Sequence, residues 1–391
     1  MLVVAVPWTA FFLINFNIAM MIPLLPFIQA QLGLSTPQAG WVLAAFPITA
    51  LASNLALGPW IDRFGRKRFI VAGAASCAVI FILTALSNSA PALILCRALT
   101  GLFMPMVGAS IFAAIADYVP AAERTRITGY VATAAPIAFL LSMSLGMVLG
   151  GLVSWQMPLL LAAALAGTLA LAASRLPPTP PDALSLAPVT TATYRNRVLH
   201  LSMSADTRRL FLGYFCWSAA VFTFLGLYPG WIVQRGLASH GPGAIGAMLF
   251  LGEIGGLLGA LLSGRIATMP TRPLGTCALA AFATAAIVAI IPFGEGSQIF
   301  QALAYGGFAL GRDLMLALIL GGAMLLVPAA QRGSLNAILN AIYQSGATAG
   351  GVASAWLYVL RPDFTANAIA AAALLLIAGT SLWRIRLQAG T

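Results

Sequence analysis

Val119-Pro120-Ala121-Ala122-Glu123-Arg124 recurs 208 residues later as Val327-Pro328-Ala329-Ala330-Gln331-Arg332. Two more landmarks repeat at almost the same distance: Pro23 with Pro229, and Gly40 with Gly246, each pair 206 residues apart. A near-constant offset of just over half the 391-residue chain indicates a duplicated unit, one copy following the other. Of the residues, 61% are hydrophobic and 7% charged, whereas a water-soluble domain carries about 25% charged residues. So little charge cannot cover a globule in water. That excludes a cytosolic enzyme and makes lipid the solvent for most of the surface.

A helix crosses a bilayer with about 20 mainly apolar residues. Runs of this kind occupy 7–30, 38–58, 68–88, 90–117, 127–149 and 155–174, then 210–233, 243–263, 273–292, 298–327, 334–359 and 366–383. The predicted fold is an all-α membrane protein, with 12 transmembrane helices in two parallel six-helix bundles over residues 1–174 and 209–391. The polar stretch 175–208, rich in Pro, Ser and Thr, reads as a cytoplasmic linker between them. Six is even, so the copies share one orientation, an arrangement that places a solute site at mid-depth between them.

The net charge of +11 is a matter of topology. With both termini cytoplasmic, sixteen of the 20 basic residues fall on the cytoplasmic side and only Arg235 and Arg361 on the other, while Arg97 and Arg312 lie within spans. That bias leaves no case for nucleic acid. The N-terminal MLVVAVPWTAFF lacks a positive n-region and a cleavage site, and reads as a retained first helix. Cys77, Cys96, Cys216 and Cys277 lie in apolar runs without metal-like spacing and read as core residues. There is no GxxxxGK[ST] phosphate loop, no HExxH and no nucleophile with a nearby base, so neither an ATP-driven pump nor an enzyme is supported. No cofactor and no metal are expected.

Between spans two and three the chain reads Gly58-Pro59-Trp60-Ile61-Asp62-Arg63-Phe64-Gly65-Arg66-Lys67-Arg68. Gly58 and Gly65 permit a tight turn and close backbone approach, and Asp62 is an acid in a basic loop. The segment resembles the G-x-x-x-D-R-x-G-R-K signature of the major facilitator superfamily, and the twelve spans, central linker and parallel halves extend that resemblance over the whole chain. Pro23-Leu24-Leu25-Pro26, Gly33-Leu34-Ser35 and Gln38-Ala39-Gly40 are similar to its drug:proton antiporter branch, which also holds sugar exporters. The resemblance implies a cytoplasmic latch of Asp62, Arg63 and Asp117, with Gly58 and Gly65 shaping the turn. Cys96-Arg97-Ala98-Leu99-Thr100-Gly101 is similar to the R-x-x-x-G motif of span four, whose Arg is tied to proton coupling, with Thr100 where Gln is usual. Gly146-Met147-Val148-Leu149-Gly150-Gly151 resembles the antiporter motif of span five, with Met147 in place of its proline and Ser142 in place of an earlier glycine.

Ionisable groups inside a membrane are costly, and each is a functional hypothesis by default. Arg97 lies near the outer end of span four, so it either snorkels to the interface or serves the site. Glu253 in span eight and Arg312-Asp313 in span ten face uncharged counterparts in the first repeat (Pro47, Met104, Pro105) and are not a duplicated structural feature. Neighbouring helix positions point apart, so Arg312 is expected to meet Glu253 or substrate, and Asp313 a central cavity. A packing ion pair is the alternative. In span eleven Asn336, Asn340, Tyr343, Gln344 and Thr348 share a helical face that either lines a cavity or bonds to neighbouring helices. Asn15 and Asn17 in span one, with Tyr214, Trp217 and Tyr228 in span seven, add further polar and aromatic groups.

These residues lead to one expectation: a secondary transporter, monomeric, in the bacterial inner membrane, moving a small organic solute by alternating access and coupling its efflux to proton entry. Glu253 and Asp313 carry the proton, assisted by Arg97. Arg312, Asn15, Asn17, Tyr214, Trp217, Tyr228, Asn336, Asn340, Tyr343 and Gln344 contact substrate. Span one offers Asn15 and Asn17 where many proton-coupled exporters of this branch have an acid. A proton-coupled importer, an uncoupled facilitator of an organic anion, and a lipid flippase or non-transporting sensor therefore remain as rivals.

Overall fold

The computed structural model describes residues 2–178, 204–235, 241–267, 273–294, 296–326 and 332–385. The chain divides into two compact units, Met1–Val189 and Thr190–Thr391. The first contains α1 (Leu2–Leu32), α2 (Thr36–Phe64), α3 (Arg66–Ala85), α4 (Ala90–Tyr118), α5 (Ala121–Ala132), α6 (Ala134–Leu152) and α7 (Gln156–Ser174). The second contains α8 (Ala205–Leu225), α9 (Tyr228–Gln234), α10 (Gly241–Ala267), α11 (Pro273–Ile290), α12 (Gln298–Ala323), α13 (Arg332–Leu360) and α14 (Thr365–Trp383).

Among the described residues, eleven helical segments are long and apolar enough to cross a membrane. The twelfth long helix is α13, whose polar stripe dilutes its apolar character. Two expected spans are broken in ways their sequence explains. Span five divides at Thr133 into α5 and α6, because Pro136 removes an amide donor and its ring collides with the preceding turn. Span seven ends at Leu225, and Pro229 in the first turn opens the short α9.

Each unit packs its helices in the same pairs: α1 on α6, α2 on α4 and α3 on α7 in the first; α8 on α13, α10 on α12 and α11 on α14 in the second. Small residues let these pairs approach, as expected where lipid removes the hydrophobic drive for association. In the first unit Gly101 faces the Phe46 carbonyl, and the Thr49 and Ser53 hydroxyls donate to the carbonyls of Ala98 and Leu102, each at 2.7 Å. In the second, Gly255 and Gly259 of α10 lie against the carbonyls of Gly306 and Leu310 on α12. Gly146 and Gly150 seat Pro23 and Phe27 of α1, so the glycines of the span-five motif serve as packing contacts. All four cysteines are buried free thiols. Large apolar side chains such as Leu171, Leu261, Leu303 and Ile369 stand exposed on the helices, where a lipid-facing surface needs them.

Candidate functional site

Glu253 is residue 13 of the 27-residue α10, and Arg312 is residue 15 of the 26-residue α12. Both sit at the middle of a membrane-length helix, 1% and 3% exposed. Arg312 holds Glu253 through two parallel bonds, Nη1 to Oε1 at 3.0 Å and Nη2 to Oε2 at 2.7 Å. Its other edge turns to its chain neighbour: Nε donates to Asp313 Oδ1 at 2.9 Å and Nη2 to Oδ2 at 2.8 Å. Separate partners for Arg312 and Asp313 were the expectation, and the structure corrects it. Adjacent Cβ atoms diverge, but the guanidinium lies at the end of a long stem and its five-donor fork reaches back over its own helix. Asp313, at 14%, is the most accessible of the three.

Two residues without a sequence-level role complete this cluster. The fully buried Tyr305 donates its hydroxyl to Glu253 Oε1. It precedes Arg312 by seven residues, on the same face of α12, and that spacing is the signal by which it could have been found. Gly256 faces the cluster from α10: a Cβ there would overlap Asp313 Oδ2, 3.0 Å from Arg312 Nη2 and 3.2 Å from Glu253 Oε2. The absence of a side chain at Gly256 is what gives the second carboxylate its place.

Arg97 does not snorkel. It is 3% exposed, donates from Nη1 to Asn17 Oδ1 at 2.9 Å, and lies 5.0 Å from the centroid of the Phe46 ring. Asn17 is residue 16 of the 31-residue α1, so the guanidinium points to the middle of that helix. Asn15 turns elsewhere and spends its amide on the Phe11 carbonyl at 2.8 Å.

Three of the expected aromatic groups come together. Tyr214 stacks on Trp217 with centroids 5.5 Å apart, and Tyr343 lies 6.2 and 6.1 Å from them. Tyr228 stands apart from these three: fully buried, it donates to Gln301 Oε1 at 3.0 Å and stacks on Tyr305. Along α13 the anticipated stripe divides, with Gln344 buried, Tyr343 and Thr348 half-buried and Asn340 exposed. The Asn336 side chain lies outside the described residues.

The stretch 58–68 is a correction too. Gly58 sits within α2, which runs to Phe64, and α3 begins at Arg66, so Gly65 alone makes the turn. Its φ of +90° is a conformation that favours glycine, and its amide closes α2 on the Ile61 carbonyl at 3.0 Å. Arg63 is exposed, 5.7 Å from the Phe64 ring centroid. The side chains of Asp62 and Asp117 lie outside the described residues. At the same end, Lys67 donates to the Leu176 carbonyl and Tyr118 to the Pro177 carbonyl at 3.0 Å, tying down the first residues after α7.

Two helix-bundle units with buried ionisable groups at mid-helix invite comparison with known transporters, and the sequence profile of the Major Facilitator Superfamily matches residues 8–351. The chain belongs to that superfamily. It is a multi-pass integral membrane protein and a transporter rather than an enzyme. The chain is 27% identical over 372 residues to the uncharacterized MFS-type transporter YceJ of Bacillus subtilis, covering 92% of this chain and 90% of that one. Matches to multidrug resistance protein 1 of Bacillus subtilis (32% over 158 residues) and to quinolone resistance protein NorA of Staphylococcus aureus (30% over 154) cover 40% and 39% of this chain. They span about two fifths of those relatives' lengths. Among solved structures, a D323A mutant of the nucleoside transporter NupG aligns with a TM-score of 0.79 at 14% identity, covering 98% of this chain and 99% of that one. An inward-facing bacterial homologue of the lysosomal transporter Spinster gives 0.75 at 15%, covering 99% and 98%. At such identities these two speak for the fold alone.

Proposed function

We propose that this transporter exports a small organic solute in exchange for protons, and that the proton is carried by the Glu253–Arg312–Asp313 cluster. One observation carries the reading: two carboxylates, Glu253 buried and Asp313 partly exposed, share one buried guanidinium. Arg312 compensates one negative charge and leaves the other in a medium where isolated charge costs several kcal/mol. Uptake of one proton removes the surplus. Asp313 is the member with a share of accessible surface, so it exchanges the proton while Glu253 stays locked between Arg312 and Tyr305. Charged and neutralised clusters favour different states of the cycle, and about 5.5 kcal/mol of differential stabilisation is enough to invert a 1:99 population.

Tyr214, Trp217 and Tyr343 form one ring cluster, in which the half-buried Tyr343 offers accessible surface to the solute over the buried Tyr214 and Trp217. Asp62, Arg63 and Asp117, with the Gly65 turn, act as the cytoplasmic latch. The protein works as a monomer in the inner membrane with both termini cytoplasmic, in keeping with its sixteen-to-two division of basic residues. Efflux as the direction is supported by relatives named for multidrug and quinolone resistance.

The test is solute movement in proteoliposomes under an imposed pH gradient. Asp313→Asn or Glu253→Gln abolishes gradient-driven accumulation while a folded protein is retained. Unchanged pH dependence in both variants overturns the assignment.

A further inference from the structure

The N-terminal unit buries a cation whose counter-charge its own helices do not supply. A guanidinium cannot shed its proton in a protein, and Arg97 has one described hydrogen bond, to the neutral amide of Asn17. Arg97 Nε and Asn17 Nδ2 are both buried with no hydrogen-bond acceptor, although these residues are only 3% and 0% exposed. The acids of this unit are Asp62, Asp117, Glu123 and Asp182. Asp117 lies 20 residues further along α4, about 30 Å away. Asp62 lies 16 residues beyond Phe46 on α2, about 24 Å along it. Glu123 follows Asp117 on the next helix. Among the described residues no acid of this unit is at the depth of Arg97; Asp182 lies outside them.

Every unmet group here is an N–H donor, so the missing partner is an acceptor, and the uncompensated charge makes it an anion. The second unit displays the geometry of such a partner. On Arg312 the edge formed by Nε and Nη2 takes the Asp313 carboxylate at 2.9 and 2.8 Å. On Arg97 the Nε of that edge is open. Planar two-point contact of this kind is what a guanidinium offers a carboxylate and does not offer a halide.

We propose that Arg97 and Asn17 form an anion site within the N-terminal unit, which takes the carboxylate of a transported solute on the Nε edge of the guanidinium, with the Asn17 amide as a second open donor. The site rests on the transporter reading for the identity of its ligand. Occupancy can nevertheless be read without transport and without a pH gradient.

The experiment is thermal unfolding of the purified full-length protein in detergent at one pH, titrated with sodium benzoate, with sodium chloride and with benzamide. Benzoate raises Tm saturably, benzamide does not, and chloride has a smaller effect. Asn17→Asp supplies a carboxylate from within: Tm without ligand rises and the benzoate response disappears. Arg97→Lys keeps the charge but loses the fork, weakening the apparent benzoate affinity by about tenfold or more. The proposal is overturned if benzoate has no effect on the wild type, if Asn17→Asp responds as the wild type does, or if chloride matches benzoate. None of these results bears on proton coupling, so a failed anion site and a failed proton carrier are told apart.

Discussion

Gly256 on α10 leaves the gap into which Asp313 of α12 places its carboxylate, because a Cβ at that position would overlap Asp313 Oδ2. The pairing of a missing side chain with a partly exposed acid is what lets one guanidinium hold two carboxylates across a helix interface. Without the gap the cluster would reduce to Arg312 and Glu253.

Gly256→Ala is therefore expected to expel Asp313 from Arg312 while leaving the Glu253 pair in place. Overpacking of this kind costs about 1–3 kcal/mol. Thermal unfolding in detergent should register the loss. Transport driven by a pH gradient should fall more than solute exchange without one, because the surplus acid is what has been displaced.

Arg312→Leu strands two carboxylates in the membrane interior, and breaking a buried ion pair from one side costs about 3–5 kcal/mol. The double variant Arg312→Leu with Glu253→Leu removes the locked pair together and recovers much of that loss. A double-mutant cycle on unfolding free energies measures the coupling. A coupling within error of zero would show that the two bonds across α10 and α12 contribute nothing.

Asp363 gives a pH dependence outside the membrane-spanning segments. Its Oδ1 accepts from the Thr365 amide at 3.0 Å at the start of α14, and the hydrogen bonds to Thr365 hold its carboxyl below the ordinary range. A lowered folded value means that the carboxylate contributes stability above the unfolded value, about 3.9. That contribution is lost as pH falls through the folded value. Asp363→Asn should lower Tm at neutral pH by less than Gly256→Ala does, and wild type and variant should converge on acidification. Parallel curves down to acid pH would contradict this.

The twelve apolar runs and the repeat were legible because spanning length and duplication are written in residue order, and the cost of unpaired charge narrowed the partner of Arg312 to Glu253 or substrate. What escaped depends on side-chain reach and on empty space. Adjacent-position reasoning uses Cβ directions, which say little about where the end of Arg312 lies. Arg97, eighth of the 29 residues of α4, is close enough to the helix end to suggest snorkelling. Only the position of Asn17 on a neighbouring helix shows that it turns inward. Gly58 and Gly65 look alike in sequence, yet one continues α2 and the other ends it. Tyr305 carries no signal of its own in the sequence, because a tyrosine in an apolar helix needs no explanation until its hydroxyl meets a carboxylate.

The central claim is that the carboxylate shared with Arg312 gains and loses a proton. Infrared difference spectroscopy of the reconstituted protein between acid and alkaline pH reads this directly. The account predicts a protonated-carboxyl band that disappears on alkalinisation in the wild type and is missing from Asp313→Asn, with the band retained in Asp363→Asn. A wild-type difference spectrum reproduced unchanged by Asp313→Asn and by Glu253→Gln would contradict it.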